Sequence, residues 1–193
     1  MSRVGPREPV AAALVGRRSI ADLLWVANTR HGPGGHWFVR VTRDDGDHDH
    51  LATAVEAERY LVDHRVSLPP HPPTRSELAA LGAIRAMVRG LLSPEAGWTP
   101  GVRRILLRTG FKLDEERRLV AAGTGWSAFI GDLMLPLLEI VGMRDRLAIC
   151  GNPACRLVFL DASKSGTRRW CDDAGCGNRD RVKRYRRRPA ASN

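Results

Sequence analysis

Four cysteines crowd the last quarter of the chain, Cys150, Cys155, Cys171 and Cys176, in the spacing C-x4-C-x15-C-x4-C, and the chain has no others. A thiolate pair a few residues apart forms one edge of a tetrahedral metal site, and a second pair about 15 residues on closes it. The six histidines all lie upstream of this region, so the predicted set is all-cysteine. Four thiolates saturate a zinc ion and leave no open position for water or substrate, which makes the expected role structural rather than catalytic. The alternatives are free thiols, a regulatory disulfide, or metal release on oxidation. In a reducing compartment, paired cysteines favour metal over disulfide.

Directly behind the last cysteine runs Arg179-Asp180-Arg181-Val182-Lys183-Arg184-Tyr185-Arg186-Arg187-Arg188. On a helix from Cys176 to about Arg187, Arg179, Lys183 and Arg186 or Arg187 share a face, flanked by Arg181, Arg184 and Arg188. Like charges this close repel each other, and a polyanion relieves the repulsion. Arginine also offers forked contacts to guanine. These seven basic residues are the candidate nucleic-acid contacts. Val182 and Tyr185 are expected to pack back toward the metal with Phe159 and Trp170. So small a core would depend on the metal for folding energy on the order of 10 kcal/mol. Metal removal is therefore expected to unfold residues 150–188 and spare the rest. Gly177 is read as allowing close approach near the metal, and Asn178 as bonding either a loop backbone or a base edge.

The charge distribution points to the same end. Residues 1–143 carry 18 Arg and Lys against 16 Asp and Glu, whereas residues 144–193 carry 13 against 5. Most of the net charge of +10 thus belongs to the cysteine-bearing part, which is where an anionic partner would dock. A hydrophobic content of 43% supports a real core and excludes general disorder. No secretory leader is recognised, and no segment approaches the roughly 20 apolar residues of a bilayer span. A soluble, cytoplasmic protein with no membrane partner is the expectation.

Several elements must position this end. After a loose leader, Ser19 caps a helix with Ile20, Leu23, Leu24 and Ala27 on one face. A glycine turn follows at 31–35, then a strand over His36–Thr42. The run Asp44-Asp45-Gly-Asp47-His48-Asp49-His50 reads as a solvated loop, since it lacks the terminal glutamate of a calcium loop. Leu51–His64 reads as a helix with Val55, Tyr60 and Leu61 inward. A proline-rich connector precedes Thr74-x-x-Glu77, a capping box opening a helix through Leu78, Leu81, Ile84, Val88 and Leu91. A loop containing Trp98 follows at Ser93–Gly101. Val102–Val120 reads as short strands with Leu106, Phe111 and Leu113 in the core. Gly125–Val141 is apolar nearly all round and reads as a central helix kinked by Pro136. Strands are expected at Arg144–Ile149 and Val158–Leu160. Asp22, Asn28 and Arg30 are candidates for a ligand pocket, against helix capping and surface charge as the simpler use. No nucleophile elbow, phosphate loop or catalytic acid pair is found, and no enzyme activity is expected.

Cys176-Gly-Asn-Arg179 spells the motif of the CGNR zinc fingers. Cys150-Gly-Asn-Pro-Ala-Cys155, Phe159-Leu-Asp161 and Arg169-Trp-Cys171 also resemble that family. The preceding part, through Asp22-Leu-Leu-Trp-Val-Ala-Asn-Thr29 and the glycine turn, is similar to the ABATE domain, the usual partner of that finger in bacteria. The resemblance implies a stress-induced transcription regulator. Its N-terminal domain, residues 10–142, would sense a small-molecule effector or mediate homodimerisation.

Together these readings predict an α+β chain. Its N-terminal domain is mainly helical with short strands, and residues 144–188 form a treble-clef-like, four-cysteine zinc module of β-hairpin and helix. The expected function is zinc-dependent DNA binding in transcription regulation. An RNA-binding zinc module and an enzyme housed in the N-terminal domain are the alternatives.

Overall fold

A computed structural model describes residues 18–31, 48–93 and 99–186. The expected strand over 36–42, the acidic residues 44–47, Trp98, Arg187 and Arg188 lie outside these. The fold is mixed, with helices dominating and three antiparallel two-stranded sheets among the described residues.

Helix α1 spans Ile20–Ala27 and opens with a reciprocal capping box: Asp22 N–H donates to Ser19 Oγ at 3.2 Å, and Ser19 N–H donates to Asp22 Oδ2 at 2.9 Å. Ile20, Leu23, Leu24, Val26 and Ala27 are buried. A two-residue strand, β1 (Arg30–His31), pairs with β2 (His48–Asp49). The stretch read as a solvated loop therefore ends in structure. Asp49 takes both arms of the Arg85 guanidinium (Nη2–Oδ2 2.9 Å), and His50 is buried in a stack on Tyr60 with ring centroids 4.3 Å apart.

Helix α2, Ala54–Asp63, is capped by Thr53 and buries Ala57, Tyr60 and Leu61. Val55, expected inside, is 73% exposed. At 100° per residue it stands 200° from Ala57, on the opposite side of the helix. Helix α3, Arg75–Gly90, carries the expected Thr74–Glu77 capping box. Its Leu81, Ile84, Met87 and Val88 are buried, each contributing about 1.5–3 kcal/mol relative to exposure.

The stretch read as strands begins instead with helix α4, Pro100–Arg108, where Thr99 Oγ1 accepts from Val102 N–H and proline stands in the first turn. Proline fits there because a first-turn N–H has no intrahelical partner. The hairpin β3 (Phe111–Leu113) and β4 (Leu119–Ala121) follows. Leu106 and Phe111 pack against the core, whereas Leu113 is 65% exposed.

The apolar run forms two helices, α5 (Gly125–Asp132) and α6 (Met134–Gly142), meeting at Leu133. Pro136 causes the break: it has no N–H to offer the carbonyl of Asp132 four residues back. By length and composition Gly125–Gly142 reaches what a bilayer crossing needs, a correction to the expectation that no segment approaches it; 61% of the run is buried inside the protein. Trp126, Phe129, Leu133, Met134, Leu137 and Ile140 form the centre of the main core, and Leu138, at 47% exposure, faces away.

Helix α1 packs on α3 and α6, and α3 also contacts α4 and α5. Asp132 ties this centre to the sheet, since its buried Oδ1 accepts from Ala121 N–H at 2.6 Å. Asp132→Ala is expected to lower stability by about 1–3 kcal/mol, because the Ala121 amide loses its acceptor. Asp132→Asn, which retains an acceptor oxygen, should lose less. Urea unfolding of the two variants checks the order.

Candidate metal centre

A short 3-10 turn at Arg144–Arg146 leads into β5 (Leu147–Ile149), which pairs antiparallel with β6 (Val158–Leu160). This hairpin carries the first cysteine pair. Cys150 follows β5 directly, and its N–H donates to Leu157 O at 2.8 Å. Asn152 shapes the knuckle: its Oδ1 accepts from Ala154 N–H at 3.1 Å, and its carbonyl accepts from the Cys155 and Arg156 amides. The second pair comes from a separate turn. Asp172 caps it by accepting from the Ala174 and Gly175 amides, and the π turn Asp173–Gly177 runs into helix α7, Asn178–Arg186. Gly177 is needed at this junction. A Cβ there would stand 2.5 Å from Asp173 Oδ1 and 3.1 Å from Trp170 Cδ1.

The four sulfurs lie within 4.8 Å of one another. Cys155 Sγ is 3.6 Å from Cys171 Sγ, and Cys171 Sγ is 3.9 Å from Cys176 Sγ. A tetrahedron with zinc–sulfur bonds of about 2.3 Å has edges of about 3.8 Å. A disulfide needs about 2.05 Å, and all four cysteines are free. Electrostatics point the same way. Hydrogen bonds from Cys155 and Cys171 hold the Cys150 thiol well below the ordinary cysteine range, and the contact with Cys150 pushes Cys155 and Cys171 up. One thiolate thus suppresses ionisation of its neighbours, and a dication removes that conflict. Geometry and chemistry both fit structural zinc, and the four cysteines predicted from spacing are the ones brought together.

Around the sulfurs are residues to which spacing assigned no role. Buried Asn152 donates Nδ2–H to Cys176 Sγ at 3.6 Å. Buried Asp161 accepts from Ser163 N–H and Arg168 N–H at 2.8 and 2.7 Å, folding the turn between the two cysteine pairs. Arg168 donates to the Trp170 and Cys171 carbonyls. The signal for Asn152 is its place two residues after the first cysteine, where a short amide can close a turn. Because Asn152 orients a ligand, Asn152→Ala should weaken zinc retention about 10–100-fold. Competition with a chromogenic chelator measures this.

The small apolar cluster is Leu157 and Phe159 with the cysteines, flanked by Ala148 and Trp170. Val182 and Tyr185, expected in it, are 39% and 78% exposed. Helix α7 buries no side chain and chiefly touches the turn before it, so it projects from the metal-held junction. Its basic residues lie on two faces. Arg181 is tied to Asp173 (Nη1–Oδ1 3.1 Å) and Arg184 to Asp180 (Nε–Oδ2 2.9 Å). Arg179, Lys183 and Arg186 share another face at i, i+4 and i+7 and are exposed. Asn178, also exposed, opens the helix.

Two of the proposed pocket residues have other partners. The Asp22 carboxylate belongs to the α1 capping box. Asn28 is buried and makes two hydrogen bonds to the hairpin: Nδ2 donates to Val158 O at 2.9 Å, and Val158 N–H donates to Oδ1 at 2.8 Å. Arg30 sits in β1. A surface hollow of about 260 Å³ lies elsewhere, lined by Ala80, Ile105, Ala121, Ile130, Glu77 and Arg108 among others, and none of the three lines it.

No curated protein matches this chain. The part that holds all four sulfurs and α7, residues 146–189, matches the family model of the CGNR zinc finger.

Proposed function

We propose that the protein is a DNA-binding transcription regulator whose zinc centre holds α7 outward as the contact element. The observation that carries this reading is the exposed stripe of Arg179, Lys183 and Arg186 on a helix anchored chiefly at its metal-held end. The zinc finger match supports nucleic-acid binding in general. A saturated four-sulfur site supports a binding role over catalysis, and cysteines gathered for metal rather than paired in disulfides suit a reducing cytoplasm. The N-terminal part, by its resemblance to the ABATE domain, would sense an effector or dimerise. Exposed Leu107, Leu113 and Leu119 give it apolar surface for the latter.

The test is fluorescence anisotropy with duplex DNA, for the zinc-loaded protein and for Arg179→Gln/Lys183→Gln/Arg186→Gln. Three phosphate contacts predict that the variant's slope of log affinity against log salt is shallower by about 2.7. Genome-wide DNA capture should give discrete peaks for the parent that vanish in the variant. Equal, diffuse recovery of both proteins would remove the regulator reading. Preferential competition by structured RNA would move the assignment to RNA.

A further inference from the structure

Helices α3 and α4 press together at one level and part beyond it. Gly101, near the start of α4, lies so close to α3 that a Cβ there would stand 2.7 Å from Ala83 Cβ. One turn further along both helices, Ala80 and Ile105 line the hollow of about 260 Å³. One turn beyond them, Glu77 and Arg108 line it too. Residue numbers fall along α3 as they rise along α4, so the two helices run antiparallel here. At 1.5 Å per residue, Glu77 and Arg108 stand at matching heights, about 9 Å and about 10 Å from the close contact.

Two further elements complete the hollow. Ala121 from β4 and Ile130 from α5 are buried and form its floor. Exposed Gly123 and Ser127 line its mouth. Gly123 keeps that mouth open, since a Cβ there would stand 2.5 Å from Ser127 Oγ.

The result is an aliphatic interior with opposite charges on facing walls. Glu77 Oε2 serves its own helix start, accepting from Thr74 N–H at 2.6 Å and from the Thr74 hydroxyl at 2.7 Å. Its Oε1 is left for another donor. Among the described residues Arg108 forms no ion pair, with Glu77 or with any other carboxylate. A concave, mainly apolar surface with a few convergent polar groups is the usual form of a small-molecule site. The volume falls below the roughly 300–1,000 Å³ that drug-sized ligands occupy, so the occupant must be small.

We propose that this hollow binds a free aliphatic amino acid. The Arg108 fork takes the ligand carboxylate, and Glu77 Oε1 accepts from its ammonium group. The ligand side chain covers Ala80, Ile105, Ala121 and Ile130. A regulatory use of the site, as the effector-sensing half of the proposed function, rests on that reading; the binding itself does not.

The test uses the full, zinc-loaded chain and isothermal calorimetry. The probes are leucine, methionine and valine, with 4-methylpentanoate and 3-methylbutylamine as leucine analogues that lack one charge each. Leucine should bind at least about tenfold more tightly than either analogue, the loss expected from one charge-assisted hydrogen bond. Glu77→Gln keeps the capping box, in which glutamine serves as well, and Arg108 is exposed, so both variants should melt as the parent does. Arg108→Gln should lose leucine and 4-methylpentanoate but spare the amine. Glu77→Gln should lose leucine but bind 4-methylpentanoate as the parent does.

No saturable heat with any of the three amino acids overturns the proposal, and so does equal binding of leucine by both variants and the parent. Binding of 4-methylpentanoate as tight as that of leucine also overturns it, because Glu77 would then play no part. Duplex DNA anisotropy with and without leucine separates the site from its use. A shift in DNA affinity that disappears in Arg108→Gln supports the site as an effector site. Leucine binding with unchanged DNA affinity upholds the site and removes only the sensing role.

Discussion

Stripping zinc from the protein is expected to unfold residues 161–186 and to lower the stability of the N-terminal body as well. The first part follows from the size of the metal-side cluster, which among the described residues has only Leu157 and Phe159 as buried apolar side chains besides cysteine. Metal binding in comparable small units supplies on the order of 10 kcal/mol of folding energy. The second part corrects the expectation that everything before residue 150 would be spared. Leu147 and Val158 belong to the main core, with Ile149 and Leu160 packed against it, and Val158 is bonded on both sides to Asn28. The hairpin that offers Cys150 and Cys155 is therefore also a wall of the larger core. Chelation should abolish amide-exchange protection in residues 161–186, leave partial protection in β5 and β6, and shift the thermal transition of the whole chain downward by several degrees. Unchanged melting of the body after chelation would show that the two parts are uncoupled.

Replacing Asn28 should be among the most damaging single changes in the N-terminal part. Its amide satisfies both backbone groups of Val158 across 130 residues of chain. Asn28→Ala leaves a buried N–H and a buried C=O unpaired, at about 1–3 kcal/mol for each group, so a total of about 2–6 kcal/mol is expected. Asn28→Asp tests the geometry. It keeps an acceptor for Val158 N–H but turns a second oxygen toward Val158 O, and it buries a charge. Aspartate should therefore rescue little or nothing, although it is nearly isosteric. Both variants should also bind zinc more weakly, because the hairpin loses its anchor. Denaturant titration paired with chelator competition reads the two effects separately.

Legibility in the sequence follows the range of the interaction. The cysteines are legible because ligand spacing within a short segment is itself the constraint. The capping boxes at Ser19 and Thr74 are legible because both partners lie within three residues. Helix α4 reads as strand because Val102, Ile105, Leu106 and Leu107 form a short apolar run whose period is ambiguous. Thr99 and Pro100 are the local signal for a helix start. Packing decides the rest: Gly101 lies so close to α3 that a Cβ would stand 2.7 Å from Ala83 Cβ. Asn28 can be placed on a helix end but not matched to Val158, since nothing local records a partner so distant in sequence. Val182 and Tyr185 point inward by residue type alone, and in the fold both are exposed.

That last feature has an evolutionary side. Because α7 buries none of its side chains, its lettering is nearly uncoupled from the thermodynamics of the rest. Substitutions along its outer face can change that surface without penalising the scaffold, so long as the sulfur cage and the Asp172 cap stay in place. Under the proposed function such a helix would be an interchangeable reading head, and divergence among chains built this way should concentrate there before it touches the hairpin.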